Sequence, residues 1–306
     1  MSLKRKAGDF QDSQNKKRLK TENNNEERGD YLRAKFREKY VELRKLGEGG
    51  YGTVFAGYRV CDELPVAIKH IPKRHHMRIH KDRKGKLRPL EVAIMLKLRA
   101  KTTSSPGQSA ILSMLDWYDM GEEVIVVMER PIPAEDLFNY IHNHKGCITM
   151  DNAKIMIKQL LKAIIHLQEA KIFHRDIKPS NILIETRSKV PKLYLIDFGL
   201  SCFVKTGNVQ ISAGTWGHFQ PERRTQDFYS SGPTTVWQVG SVLYAILHED
   251  LFSTSKFLSN ELKINTSLPE TCREFLNKCL ALDPKERPTV EQLLHHQWLL
   301  EEDTQI

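Results

Sequence analysis

Residues 174–181 read His-Arg-Asp-Ile-Lys-Pro-Ser-Asn, placing a carboxylate, an ammonium group and a carboxamide within a few positions. At the spacing H-R-D-x-K-x-x-N these three can act together on a strongly anionic reacting group. Asp176 is placed to orient an attacking hydroxyl and take its proton, and Lys178 to stabilise the charge on the group being transferred. Asn181 offers an amide oxygen to a magnesium ion. Sixteen residues after Asn181, past two strand-like runs, stands Leu-Ile-Asp-Phe-Gly (195–199). Asp197 is the expected second magnesium ligand.

A second group of residues suits the anion itself. Leu46, Gly47, Glu48, Gly49, Gly50, Tyr51, Gly52, Thr53 and Val54 carry the pattern G-x-G-x-x-G-x-V. Strand-like runs flank it on both sides, which predicts a glycine-rich hairpin rather than the strand-to-helix turn of a dinucleotide site. Without side chains, backbone N–H groups can come close to phosphates. Pro-Val-Ala-Ile-Lys (65–69) follows, with Ala67 on the strand and Lys69 facing the α- and β-phosphates. A buried lysine needs a carboxylate, and Glu91 on the next helix is the candidate. Cations against phosphate charge, and carboxylates to hold them, are what phosphoryl transfer requires. ATP and Mg2+ are the expected cofactors.

Positioning these groups needs two kinds of structure. From Tyr40 to about Glu129 the chain reads as short strands with one helix over 88–100. From about 134 the pattern is helical, with helices expected over 151–170 behind an aspartate cap, and near 234–248, 270–281 and 289–298. The expected class is α+β, in two lobes: an N-lobe (40–129) of antiparallel sheet plus one helix, and a mainly helical C-lobe (134–298). The strand-like run Val124–Met128 stops at Glu-Arg-Pro-Ile-Pro (129–133), because proline has no N–H for a ladder. That segment is the expected hinge.

Residues 1–30 differ from the rest. They hold eight Lys/Arg, six Asp/Glu and little to bury, which predicts a disordered basic tail. Two basic clusters, at Lys4–Lys6 and Lys16–Lys20, fit a bipartite nuclear-import signal or a solvated arm touching nucleic acid. A nuclear-import receptor is thus an expected partner, and the expected localisation is cytoplasmic and nuclear. The net charge of +9 favours anionic partners without choosing among them. Five scattered cysteines, with no C-x-x-C, suggest reduced thiols. No apolar run follows the N-terminal lysines, so no signal peptide is expected. The stretch near 236–247 is too short and too polar to span a bilayer, and no membrane partner is expected. His70, His75, His76 and His80 lie among basic residues with nothing to complete a zinc site, so 70–89 reads as a solvated basic loop. Cys202 reads as an inert thiol.

In their order and spacing these motifs resemble the eukaryotic protein kinases, from about Tyr40 to Trp298. The resemblance implies a bilobal kinase fold, a monomer, and serine or threonine acceptors on protein substrates. Lys178 and Thr215 point to the serine/threonine branch. Glu-Arg-Pro-Ile-Pro-Ala-Glu-Asp-Leu-Phe (129–138) resembles the hinge of the PIM kinases, and Thr235 stands where most kinases other than those carry an aspartate. That likeness makes Met128 the gatekeeper and gives adenine the Glu129 carbonyl. Pro131 then removes the second hinge bond. PIM kinases read basic substrates with acidic residues; Asp136 matches one, but Pro179, Ser180 and Asn139 replace others. Ser201, Thr206 and Ser212 are candidate phosphorylation positions that Arg175 could clamp, although the resemblance implies activity without phosphorylation. Glu222 in Gln-Pro-Glu is expected to pair with Arg287 for stability. The alternative to an enzyme is a pseudokinase scaffold, which the complete set of Lys69, Glu91, Asp176, Asn181 and Asp197 disfavours.

Overall fold

The computed structural model describes residues 28–73, 77–102, 110–204, 208–210, 219–224 and 228–301. Within these the chain forms two compact units.

The first unit begins with a helix over 28–39 (α1), then strands β1 (Tyr40–Gly49), β2 (Gly52–Arg59) and β3 (Pro65–Pro72). The chain leaves this unit to form β4 (Ile79–Lys81), β5 (Leu87–Pro89) and α2 (Leu90–Thr102). It returns as β6 (Met114–Asp119) and β7 (Glu123–Glu129). Strands β1-β2-β3-β7-β6 make one antiparallel sheet. Successive side chains alternate between faces. One face carries Tyr40, Val66, Ile68, Ile125 and Val127, and α1 covers it with Phe36 and Leu32. The other face follows from the register. Val54 pairs with Lys69 and Lys69 with Val126, while Ala56 pairs with Ala67 and Ala67 with Met128. Val54, Ala67, Lys69 and Met128 therefore share the face away from α1. Residues 28–30, expected in a disordered tail, are helical, because Leu32 and Phe36 give that segment an apolar stripe to bury. Both basic clusters of the tail lie outside the described residues.

The second unit holds residues 79–113 and everything from Pro131. Residues 79–113 were expected to pack in the N-lobe. They group here because the Ala110 carbonyl accepts from the Leu195 N–H on a later strand and the Leu112 N–H donates to the Leu195 carbonyl, and His80 and Lys97 lie against the Phe203 ring. Within 70–89, read from sequence as a loop, β4 and β5 form a hairpin.

The remaining elements start with β8 (Ala134–Asp136), α3 (Leu137–Asn143) and α4 (Met150–Glu169). Strands β9 (Ile172–Phe173), β10 (Ile182–Glu185), β11 (Lys192–Leu195) and β12 (Cys202–Phe203) follow. Then come β13 (Asn208–Gln210), β14 (Phe228–Ser230) and α5 (Ser231–His248). Four short helices, α6 (Thr254–Leu258), α7 (Glu270–Cys279), α8 (Val290–Leu294) and α9 (Gln297–Leu300), complete the described chain.

The cap of α4 is Thr149, whose side chain accepts the Asn152 N–H; Asp151, the expected cap, sits in the first turn. Helix α5 is buried from Thr234 to Ile246, so its apolar run belongs to a core. No described helix is long and apolar enough to cross a membrane. At Gly240 a methyl group would come 2.8 Å from Cys279 Cβ, so α5 and the end of α7 touch through that glycine.

Candidate active site

The glycine-rich segment is the tip of the β1–β2 hairpin, with Gly49 opposite Gly52. Its glycines divide into two kinds. Gly52 has φ +133°, and a Cβ there would lie 2.1 Å from the His70 carbonyl oxygen, so the fold itself demands glycine. At Gly47, Gly49 and Gly50 a Cβ would meet nothing within 4 Å. The protein gains no packing from those three omissions; the bare backbone suits a ligand that approaches closely, as phosphate does. Leu46 and Tyr51 are exposed at the tip, and Glu48 pairs with Lys45. Lys69 is buried in the middle of β3. Strand β7 ends with Met128 and Glu129, and the Arg130 N–H bonds back to the Pro65 carbonyl (3.3 Å). The chain passes between units from Arg130 to Pro131.

The second unit carries Glu91 in the first turn of α2, half-buried, and the loop 174–181. Short pairings position that loop. Strand β9 delivers His174 and pairs with β12, which follows Asp197. Strand β10 starts immediately after Asn181 and pairs with β11, Ile182 opposite Leu195. The β10–β11 hairpin thus returns the chain to where it left, and the Ile196 N–H bonds to the Asn181 carbonyl (3.0 Å). That is how residues sixteen apart in sequence come together.

Asp176 Oδ2 accepts from Asn181 Nδ2 (2.8 Å) and lies 3.0 Å from Lys178 Nζ. Asn181 Nδ2 also donates to the Asp176 carbonyl (2.8 Å). Both amide hydrogens of Asn181 are therefore directed at Asp176, which leaves its oxygen as the group for a cation. Asp197 Oδ1 accepts the Gly199 N–H (3.2 Å). These oxygens are the hard ligands magnesium prefers, and few enough for it to keep water and phosphate ligands. Among the described residues no three His, Cys, Asp or Glu side chains form a metal cluster; His75 and His76 lie outside those residues.

Two residues here hold left-handed backbone, Arg175 (φ 75°) and Asp197 (φ 62°). Such geometry costs of order 1–3 kcal/mol and needs support from its surroundings. Gln238 in α5, which sequence reasoning missed, supplies some: its Nε2 donates to the Arg175 carbonyl (3.0 Å). Thr235, where most kinases carry aspartate, is turned to the Ser231 carbonyl instead (2.7 Å). His174 is fully enclosed. Its Nε2–H donates to the Ile196 carbonyl (3.0 Å), and its ring stands edge-on to Phe198 at 5.1 Å. Burial pushes the imidazole pKa down, against the weaker upward pull of Asp197, so the ring is a neutral spacer.

Ser201 is buried and donates to the His174 carbonyl (3.2 Å), so it is not presented for phosphorylation. Thr206, Ser212 and Thr215 lie outside the described residues. Cys202 is half-buried on β12 opposite Phe173. The Asp136 carboxylate caps α3: Oδ1 accepts the Asn139 N–H (3.0 Å) and Oδ2 the Asn139 side-chain amide (2.6 Å). The Glu222–Arg287 pair is a buried fork, with N–O distances of 2.8 and 2.7 Å.

The protein kinase domain matches residues 40–299. Among curated proteins the chain is similar to the serine/threonine-protein kinase pim-2 of Danio rerio, with 32% identity covering 87% of this chain and 86% of that one. It is 30% identical to the serine/threonine-protein kinase prk-2 of Caenorhabditis elegans, over 87% of this chain and 59% of the relative. Calcium/calmodulin-dependent protein kinase type 1 of the same nematode is 28% identical, over 87% and 76%.

Proposed function

Since the chain belongs to the protein kinase family, we propose that it is a serine/threonine protein kinase of PIM type. It transfers the γ-phosphoryl group of ATP to serine and threonine hydroxyls of protein substrates. The observation that carries this reading is the Asp176–Lys178–Asn181 cluster. Asn181 and Lys178 hold one oxygen of the Asp176 carboxylate, which fixes the plane of the group. Asp176 Oδ1 is then the atom that receives the substrate hydroxyl proton. The Lys178 ammonium stabilises charge on the transferred group. Asn181 Oδ1 and the Asp197 carboxylate hold Mg2+, which when bound neutralises phosphate charge. The Gly47–Gly50 backbone and Lys69 bind the phosphates.

At the hinge the Glu129 carbonyl accepts from the adenine amino group, and Pro131 offers no second bond. A net hydrogen bond is worth about 1 kcal/mol, so ATP binds several-fold more weakly than to a hinge with both. Substrate choice is less dependent on arginine-rich motifs than in a kinase with a full acidic set. Asp136 is occupied by Asn139, and positions 179–180 are proline and serine. Activity requires no loop phosphorylation, and the tail directs the chain between cytoplasm and nucleus. No observation favours the scaffold alternative.

The test is radiolabel transfer from γ-labelled ATP to a generic protein substrate, with and without Mg2+, followed by phosphoamino-acid analysis. Phosphoserine and phosphothreonine formed only with the metal support the proposal. Label on tyrosine alone, or none, refutes it.

A further inference from the structure

The β4–β5 hairpin is not used by the site described above. Between Arg78 and Arg88 the chain carries six Lys/Arg and a single acid, Asp82. That acid is consumed inside the turn. Its Oδ2 accepts from Arg88 Nη1 (2.6 Å), and its Oδ1 accepts the N–H groups of Lys84 (2.9 Å) and Lys86 (2.8 Å). Gly85, at φ +80°, closes the turn with a bond to the Asp82 carbonyl (2.9 Å). The tip is therefore a built structure that presents Arg83, Lys84 and Lys86 to solvent.

Strand alternation divides the rest of the hairpin. His80 and Arg88 face one way, and the His80 ring packs on Phe203 at 4.7 Å. Ile79, Lys81 and Leu87 face the other way, with Ile79 54% and Leu87 64% exposed. Lys81 thus shares a face with two exposed large aliphatics, next to the cationic tip at Arg83, Lys84 and Lys86.

We propose that this hairpin is a contact site for an anionic lipid bilayer surface. The interfacial zone of a bilayer takes aliphatic side chains into the headgroup boundary while Lys and Arg meet anionic headgroups. A nucleic acid backbone would satisfy the cations but leave Ile79 and Leu87 in water. A stable protein partner needs about 20–30 residues a side, and the hairpin exposes only a few. A flat membrane needs no groove. The sequence-based expectation of no membrane partner rested on the absence of a spanning segment, which a surface contact does not require.

The test uses the full chain in co-sedimentation with vesicles of phosphatidylcholine alone, or with phosphatidylserine added, beside fluorescence anisotropy with a short duplex DNA. Wild type should sediment with the anionic vesicles and not with the neutral ones. Lys84→Ala with Lys86→Ala should weaken that partition about 25-fold, roughly fivefold per cation. Leu87→Ser alone should weaken it roughly tenfold. Both variants should keep wild-type melting and wild-type transfer to a soluble peptide. The tail clusters at Lys4–Lys6 and Lys16–Lys20 remain in every arm, so the difference from wild type reads the hairpin alone. Equal sedimentation of variants and wild type overturns the proposal. So does sedimentation indifferent to lipid charge, or loss of DNA binding without loss of vesicle binding.

Discussion

Replacing Glu222 by alanine leaves the Arg287 guanidinium, whose side chain is 0% exposed, without its counter-charge. Breaking a buried pair from one side costs about 3–5 kcal/mol. The structure decides where in that range each partner falls. Arg287 keeps carbonyl contacts after Glu222 is gone: Ala281 (2.8 Å), Pro233 (3.1 Å) and Leu282 (3.4 Å). Glu222→Ala should therefore fall at the lower end, about 3 kcal/mol. Arg287→Ala removes both guanidinium bonds from the Glu222 carboxylate, removes the donor from all three carbonyls, and loses the contact of the guanidinium with the Trp237 ring at 4.9 Å. It should reach the upper end, about 5 kcal/mol. The double variant should cost roughly 2–3 kcal/mol less than the sum, because the ion pair broken by the first change cannot be lost again and no buried charge of the pair remains. For a chain of this size each kcal/mol moves the melting temperature by about 2–4 °C at most. Glu222→Ala should then melt roughly 6–12 °C below wild type by circular dichroism, and urea titration supplies the free energies. A loss under about 1 kcal/mol, or a smaller loss for Arg287→Ala than for Glu222→Ala, would refute the reasoning.

Other perturbations separate roles that a single variant would confuse. Gly52→Ala should destabilise by roughly 1–3 kcal/mol or more, since its Cβ collides with the His70 carbonyl in left-handed backbone. Gly49→Ala should leave stability within about 0.5 kcal/mol and raise the KM for ATP; the opposite pattern would contradict the division between these glycines. Gln238→Ala removes the amide donor to the Arg175 carbonyl, and should lower kcat several-fold with KM for peptide unchanged, at about 1–2 kcal/mol in stability; an unaltered kcat would make Gln238 a packing residue only. Burial lowers the folded-state pKa of His174 below its unfolded value of about 6.5. Its contribution to stability is complete above that pH and is lost as pH falls towards the folded value, at about 1.4 kcal/mol per pH unit for one proton. Urea titrations of His174→Phe across this range should show a shallower slope than wild type, and parallel slopes would count against the burial argument.

Much of the site was legible because its chemistry is written in short local spacings. The interval from Asp176 to Asn181 is one turn of chain, and the interval to Asp197 is one hairpin, so residue order alone places these groups together. Strands β3 and β7 were legible as the short apolar runs around Val-Ala-Ile-Lys and Val-Ile-Val-Val-Met, whereas their register, Lys69 opposite Val126, appears only in the fold. What escaped detection depends on contacts across long intervals or on weak periodicity. Gln238 reaches Arg175 across sixty-three positions, and no local pattern announces a side-chain amide seeking a distant carbonyl. Helix α1 shows only Leu32, Phe36 and then Tyr40 at four-residue spacing among charged residues, a stripe that could have been read but was masked by composition. The α4 cap was misassigned because Thr149 and Asp151 are both good caps, and only backbone geometry selects between them. The β4–β5 turn hides in a basic run, where Asp82 and Gly85 were its sole turn signals.

The most direct test of the account is phosphoryl transfer to a protein substrate by wild type and by Asp176→Asn, in single turnover at saturating ATP, with melting temperatures measured in parallel. Asparagine preserves the shape of the group but cannot take the proton. The account predicts transfer slower by about a hundredfold or more with melting unchanged. Equal rates at equal stability would contradict it.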